Sequence, residues 1–543
     1  MPKRETRIAL ILSGGVSLGS YTAGVLDQLD YALETLNSDA NGSNRYVIDV
    51  ITGASAGSMA AALVAHAMLV NGRAGWTHLH DAWVNDVDIT RLMDSTHTNS
   101  LLSGTSLQKI GEKYLTGRDQ VSKDQLPSYA PQTLQLGFTL ANMQGIDYTI
   151  PYRSRAVSKT GFISTFFSHQ RRFVVSYDTA AVDWSAILHT AVASGSFPFA
   201  FPPKALTGTP DEFPDSVQAE DGTLPHDLLF LDGGMFNNEP LKLAISLAHK
   251  ADEESGGNNR KYILVDSTLN QSSADYSLPP DISLLAQSKR LLGMIYGEAQ
   301  AKDWIRAQKT NTQLKWRDQL LERLAQLITS LDSSQTDLLN TELDRMAKEI
   351  VALKRALYPS NVAKKRYPPD YLKVRLKAIG DRVKDHLDPQ HADLYALATF
   401  TINAVAGTGN KKDLELWLIG APPEDVLAGN IAGNFGGFFE QEWREHDFQR
   451  GRREANVQLN GTALPAYAKQ DDLDAPLPDL SKVTLADADA GKRKRFRTLV
   501  LDKIEIELRD NIKFLRWPII GWIMRKILHR LAKPVLNKWL MLK

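Results

Sequence analysis

The apolar run Tyr46-Val47-Ile48-Asp49-Val50-Ile51 passes directly into Thr52-Gly53-Ala54-Ser55-Ala56-Gly57-Ser58, and from there into a second apolar stretch, Met59 to Val70. A buried strand, a turn of small residues and a buried helix in immediate succession leave few folds open. The turn has no room for side chains beside the serine, so glycines at 53 and 57 remove them and the Ser55 hydroxyl is lifted to the sheet edge. The helix that follows aims its N-terminal N–H groups and positive dipole end at the same point, where an oxyanion would form. Strand, G-x-S-x-G and helix together are the layout of a nucleophile elbow and point to acyl transfer. The plainer alternative is a structural glycine turn.

A second glycine cluster lies upstream. Arg7-Ile8-Ala9-Leu10-Ile11-Leu12 reads as a buried strand that ends in Ser13-Gly14-Gly15-Val16-Ser17-Leu18-Gly19-Ser20. Tyr21, Val25, Leu26, Leu29 and Leu33 then mark a helical stripe. Gly14 to Gly19 has the glycine spacing of a phosphate-binding loop, but Ser20 stands where its lysine belongs, and G-x-G-x-x-G is not matched. Both nucleotide readings are therefore weak. Backbone N–H groups of such a turn can instead form an oxyanion hole, which needs no side chain.

Asp227-Leu-Leu-Phe-Leu231-Asp232-Gly233-Gly234 supplies a carboxylate at a strand end, released by two glycines that permit close backbone approach. Asp232 is thus a candidate base or orienting group. Asp266, after Lys261-Tyr-Ile-Leu-Val265, is its rival, and either could be a loop-capping carboxylate. A histidine-dependent triad would draw on His226, close to Asp232 in sequence, or on His66, on the helix behind Ser55.

Taken together, these residues resemble the patatin-like phospholipase family. The likeness covers Ser13-Gly14-Gly15 through Gly19, Gly53-x-Ser55-x-Gly57, and Asp232-Gly233-Gly234 followed by Met235-Phe236-Asn237-Asn238-Glu239-Pro240. Ala193-Ser194-Gly195-Ser196-Phe197-Pro198 and Phe201-Pro202-Pro203 look like its small-residue and proline segment, and Trp443 to Arg453 like a segment seen late in some members. The resemblance implies a three-layer α/β sandwich with a mainly parallel central sheet. It also implies a Ser–Asp dyad acting on acyl esters of lipids, with Ser55 as nucleophile and Asp232 as base. Gly14, Gly15 and Val16 N–H groups would hold the oxyanion, and no cofactor or metal is implied. A carboxylate of ordinary pKa, near ~4, is a poor base for a serine, so Asp232 would have to be partly desolvated. The family usually reads Gly-Gly-Gly-x-Arg-Gly in the first loop. Here Val16 replaces the third glycine and resists positive φ, keeping its N–H available if φ is negative. Leu18 replaces the arginine and removes a charge that would favour an anionic headgroup.

At 543 residues, zero net charge and no cysteine, the chain has ample length for a core and lacks disulfides, thiolate metal sites and a cysteine nucleophile. Balanced charge argues against nucleic acid as a partner. The apolar run Ile8–Leu12 is too short for a signal-peptide core, and no stretch is long enough to span a membrane. The expected location is cytoplasmic or peripheral to a membrane.

The expected organisation is a catalytic domain over 1–287, a charged helical insertion over 288–393, a return to the core over 394–465, a linker over 466–495 and a basic tail over 496–543. In the insertion, Leu320, Leu321, Leu324, Leu327 and Ile328, then Leu338, Leu339, Leu343, Met346 and Ile350, predict two long helices packed as an antiparallel pair. Leu414 to Ile419 predicts a strand. From Asn511 to Lys543 there is no acidic residue. Ile520, Ile523, Ile527, Leu528, Leu531 and Val535 fall on one helical face, and Arg525, Lys526, His529 and Lys533 on the other, with Trp517, Trp522 and Trp539 interleaved. Such an amphipathic tail, without an acidic residue, points to an anionic membrane surface; the alternative is a helix packed on the protein's own core. The sequence reading is therefore a lipid acyl hydrolase of phospholipase A or lysophospholipase type at a membrane surface. A soluble esterase or thioesterase and a weakly active membrane scaffold are the alternatives.

Overall fold

A computed structural model describes residues 4–93, 99–116, 120–151, 161–177, 182–208, 227–255, 259–269, 284–356, 360–381, 383–384, 386–408, 413–422, 426–511 and 518–542. Two compact units are present, one built from residues 1–303 and 415–543 and the other from 304–414.

The first unit is built on β1 (Arg4–Leu12), β2 (Asn44–Gly53), β3 (Thr133–Pro151), β4 (Gly161–Ser176), β5 (Lys204–Thr207), β6 (Asp227–Asp232), β7 (Arg260–Val265) and β8 (Glu415–Ile419). They form one sheet in the order β5-β6-β3-β2-β1-β7-β8, with β4 paired to β3. The pairings β1–β2, β2–β3, β1–β7 and β7–β8 are parallel, while β3–β4, β3–β6 and β5–β6 are antiparallel. This is the expected α/β architecture with a mostly parallel sheet. The unbroken apolar runs of β1 and β7 explain it, since strands buried on both faces carry no polar alternation. The strand expected over 414–419 is β8.

Helices α1 (Gly19–Ser38) and α2 (Ala56–His66) follow β1 and β2, and α3 (Gly104–Leu115), α4 (Trp184–Ser194), α5 (Leu241–Ser255) and α6 (Leu284–Ala299) are the other α-helices of more than four residues that end before residue 304 among the described residues. After β8, α11 (Gln441–Leu459) packs along α1. Their crossing depends on two glycines. A Cβ on Gly24 would lie 1.9 Å from the Phe448 carbonyl oxygen, and one on Gly451 would lie 2.1 Å from that of Tyr21. The Arg444 guanidinium is buried and capped by the carbonyls of Val84 and Gly437, each at 2.8 Å. The late Trp443–Arg453 segment is therefore a wall of the first unit.

The second unit contains the rest of α7 (Lys302–Ile328), α8 (Ser333–Ala356), α9 (Tyr371–Gly380) and α10 (Pro389–Ala406). Its bounds differ from the expected 288–393, because α6 stays with the first unit and α10 packs on α8. The expected α7–α8 pairing gives way to a core of Ala347 and Val351 from α8 against Leu397 and Phe400 from α10. Leu320, Leu327 and Leu338 accordingly remain exposed, although Leu321 and Ile328 are buried.

Residues 466–495 do not form a free linker. Leu473, Leu485 and Ala488 are buried. Leu485 and Ala488 share a cluster with Phe439 and Trp443, and with Phe496, Val500 and Leu540 from α12 (Ala490–Asn511) and the end of the tail. The tail helix α13 (Pro518–Trp539) adds half-buried Leu536 to this cluster, while Leu531, Val535 and Trp539 stand exposed at 67, 58 and 44%. Lys513, Arg516, Trp517 and Lys543 lie outside the described residues. No helix among the described residues is long and apolar enough to cross a membrane.

Candidate active site

The site forms where β1 and β2 end side by side, with Leu12 in register with Gly53. Crevices at the carboxyl ends of neighbouring parallel strands are where open α/β sheets place their ligands. Strand β6 descends antiparallel along the far half of β3 and stops at Asp232 opposite Leu140, two residues beyond the Gly53 partner Phe138. Three chain segments far apart in sequence thus end at one level.

Ser55 leads into α2 with φ 51 and ψ −125, a conformation that L-residues rarely adopt. Its neighbours must be small. A Cβ on Gly53 would meet the Gly57 carbonyl oxygen and the Ser58 nitrogen at 2.6 Å, and one on Gly57 would meet the Leu12 carbonyl oxygen at 2.2 Å. The Ser55 N–H donates to Ser194 Oγ at 2.9 Å, which ties the elbow to α4. The Ser55 hydroxyl donates to Asp232 Oδ2 at 2.6 Å.

Asp232 is fully buried, and its other oxygen, Oδ1, accepts the Gly234 N–H at 2.7 Å. Burial pushes its carboxyl up to about 7, against the opposing pull of the Ser55 and Gly234 hydrogen bonds. Lack of solvent around the charged form is the dominant cause.

The loop after β1 is tied on three sides. Asn238 clamps Gly14, accepting its N–H at Oδ1 (3.2 Å) and donating from Nδ2 to its carbonyl (3.3 Å). Ser13 Oγ donates to Asp266 Oδ1 at 2.9 Å, and Ser17 Oγ donates to the Asn434 carbonyl at 2.6 Å. Gly14 could carry no side chain, since a Cβ there would lie 2.8 Å from Ser55 Cβ. Val16 takes φ 55, so the negative φ on which the availability of its N–H is conditional is not met; the fixed loop imposes the left-handed conformation despite the branched side chain, and the N–H still makes no hydrogen bond among the described residues.

The donor set expected from sequence also changes. The Gly14 N–H is spent on Asn238 and is withdrawn from it. The N–H groups of Gly15, Val16 and Ala56 make no hydrogen bond among the described residues. Ala56 is the first residue of α2, whose leading N–H groups have no partner within the helix. Val16, Ser55 and Ala56 line one small cavity with Met59, Trp83, Phe197 and Phe438. Its volume is about 20 Å³, room for about one water molecule.

The rival residues are held elsewhere. Asp266 caps its own loop, accepting from the Thr268 N–H and hydroxyl at 2.8 Å besides Ser13. His66 bonds Asn71 at 3.0 Å and meets the Trp184 ring edge-on at 4.6 Å. His226 lies outside the described residues.

The sequence assigns no individual role to Ala56, Asn238 or Tyr296, although Asn238 lies in the segment quoted after Asp232 and Ala56 opens the helix whose N–H groups are expected at the oxyanion. For Ala56 the signal was present, since the residue after an elbow serine commonly donates to the oxyanion. Tyr296 on α6 stacks on Phe197 with centroids 5.1 Å apart, and its buried hydroxyl has no hydrogen-bond partner among the described residues. No local pattern in α6 announces this stack.

A strained serine at the end of a parallel strand, hydrogen-bonded to a buried carboxylate beside unspent backbone donors, is the equipment of a serine acyl hydrolase. Residues 10–245 match the family described as patatin-like phospholipase, and the chain carries a domain of that family of serine acyl hydrolases. No curated protein matches the chain. The family match ends at residue 245, whereas the unit that holds the site continues through β7, β8 and α11.

Proposed function

We propose that this protein hydrolyses carboxylic esters of phospholipids or lysophospholipids through Ser55 and Asp232, at a membrane surface. The observation that carries the reading is the 2.6 Å hydrogen bond from Ser55 Oγ to a carboxylate whose pKa burial raises to about 7. A base poised near neutrality accepts a proton far better than an ordinary aspartate.

In the first half-reaction Ser55 Oγ bonds to the ester carbonyl carbon as its proton passes to Asp232 Oδ2. The carbonyl oxygen becomes an oxyanion, facing the N–H groups of Gly15, Val16 and Ala56 and the N-terminal end of the α2 dipole. Collapse breaks the ester C–O bond, and Asp232 returns the proton to the departing alcohol oxygen. Water then attacks the acyl-enzyme and gives a proton to Asp232. The Ser55–acyl bond breaks, and Asp232 reprotonates Ser55.

The cavity at Ser55, about 20 Å³, is too small for an acyl chain, so substrate entry requires the wall of Met59, Trp83 and Phe438 to move. Membrane contact is assigned to α13, where the exposed stripe Leu531, Val535 and Trp539 adjoins exposed Lys526, Arg530, Lys533 and Lys538. An apolar stripe flanked by cations suits an anionic lipid interface.

Fatty-acid release from mixed anionic phospholipid vesicles tests the reading, with wild type, Ser55→Ala and Asp232→Asn compared. Release by wild type alone, from variants that melt cooperatively, supports the dyad. Release that persists in both variants sinks it. Equal activity on soluble esters and vesicles, unaltered by Leu531→Glu/Val535→Glu, would favour a soluble esterase.

A further inference from the structure

The second unit contains a cavity of about 860 Å³ between α8, α9 and α10, well away in sequence from Ser55 and Asp232. That volume falls in the range of small-molecule sites, roughly 300–1,000 Å³. Its floor is apolar: buried Val351 and half-buried Leu372, Leu376 and Leu387. Val351, Leu372 and Leu376 belong to the core or pack directly against it.

The rim is ionic and unequal. Five basic and three acidic side chains line the cavity. Lys348 and Asp344 cancel one another in an ion pair at 2.5 Å. Lys373, Lys377 and Lys384 have no ion-pair partner among the described residues. Lys373 and Lys377 are one turn apart on α9, so their ammonium groups share a face. Arg355 is pinned by Nε to the Tyr367 carbonyl (2.9 Å) and by Nη2 to the Pro368 carbonyl (2.6 Å). Its Nη1 makes no hydrogen bond among the described residues. Asp381 and Asp393 leave this rim a net excess of positive charge.

We infer that the second unit binds a single-chain anionic amphiphile, its oxyanionic head at Arg355, Lys373, Lys377 and Lys384 and its hydrocarbon chain on the Val351–Leu372–Leu376–Leu387 floor. Each half of the site argues against a simpler ligand. A small oxyanion such as phosphate would satisfy the cations and leave the apolar floor in water. A neutral hydrocarbon would cover the floor and leave the cations unpaired. An amphiphile answers both, and a carboxylate or a phosphate head fits alike, since both accept hydrogen bonds from guanidinium and ammonium donors. The site is non-catalytic and does not depend on the chemistry proposed at Ser55.

The test is equilibrium binding to the full chain carrying Ser55→Ala, below the micelle concentration of each probe. A fluorescent polyene fatty acid, its alcohol, dodecyl phosphate and inorganic phosphate are compared. The fatty acid and dodecyl phosphate should bind at one site per chain, with the alcohol at least tenfold weaker. Lys373→Glu/Lys377→Glu, two exposed changes, should weaken the fatty acid at least tenfold, whereas Leu531→Glu/Val535→Glu on α13 should leave it unchanged. Binding untouched by the α9 charge reversal, or equal binding of alcohol and acid, would overturn the assignment. Displacement of the fatty acid by inorganic phosphate at equal concentration would overturn its amphiphile half. No ester is cleaved in this assay, so an inactive dyad leaves its outcome intact.

Discussion

The turns after β1 and β2 are neighbours, and each forces one L-residue into positive φ, Val16 at 55 and Ser55 at 51. Their supports differ. Ser55 is enclosed by its own turn, with flanking glycines that touch backbone on every side and bonds to Ser194 and Asp232. The Val16 loop is held from a distance, by Asn238, Asp266 and Asn434. Strain at the elbow therefore belongs to the local sequence, and strain at Val16 belongs to the assembled unit. Left-handed φ costs roughly 1–3 kcal/mol at either place, and only at the serine does it aim a hydroxyl at a buried carboxylate.

Breaking the elbow should have the largest consequences. Asp232→Asn is expected to lower kcat about a thousandfold, in line with loss of a general base. The variant should also melt higher at neutral pH, because it no longer buries a group that ionises more readily in the unfolded chain. Initial rates and thermal melts at pH 7 check both halves. Gly57→Ala drives a Cβ into the Leu12 carbonyl and should cost about 3 kcal/mol of stability, readable as a lower urea midpoint.

The pH profile comes next. The Asp232 carboxyl sits at about 7 in the folded protein, above its ordinary value of 3.8, so the reactive carboxylate is lost as pH falls through 7. kcat/KM should rise with pH to a plateau above about 8 and drop about a hundredfold between pH 7.5 and pH 5. The stability sign is opposite. The contribution of this group is fully present below the unfolded pKa and is lost as pH rises from 3.8 to about 7. An activity profile flat between pH 5 and 8 would remove Asp232 from the base role.

The smallest effect concerns the other loop. Val16→Gly relieves left-handed strain of about 1–2 kcal/mol and adds unfolded-state entropy worth about 0.5–1 kcal/mol. A net gain of about 0.5 kcal/mol is expected, with a few-fold rise in kcat/KM for bulky esters as the isopropyl group leaves the cavity wall. A loss of stability would mean that the Val16 side chain contributes more by packing than its backbone costs.

The elbow was legible in sequence because all its determinants lie within seven residues. Asp232 was legible as a candidate because two glycines mark a strand end. The clamp on Gly14 was not, since Asn238 lies 224 residues away and any nearby carboxamide would have looked the same. The segment 466–495 reads as a linker from its prolines and aspartates. Three of its apolar residues, Leu473, Leu485 and Ala488, decide the matter only once Phe439 and Trp443 are in place to cover two of them. Likewise the leucine stripe of α7 has the period of a packed helix, and periodicity alone cannot name the partner. The family resemblance read from the motifs is matched over residues 10–245.

The crossing of α1 and α11 at Gly24 and Gly451 has a consequence for biosynthesis. A nascent chain that has emerged as far as residue 245 already contains the nucleophile and the carboxylate. It still lacks Phe438, which walls the Ser55 cavity, Asn434, which ties down Ser17, and Phe448, against which Gly24 closes. Until translation passes α11, helix α1 has an uncovered flank, and the second unit emerges from the ribosome in that interval. Chaperone occupancy on the polysome should therefore persist across residues 304–414 and fall once α11 appears, making completion of the fold a late, C-terminal event.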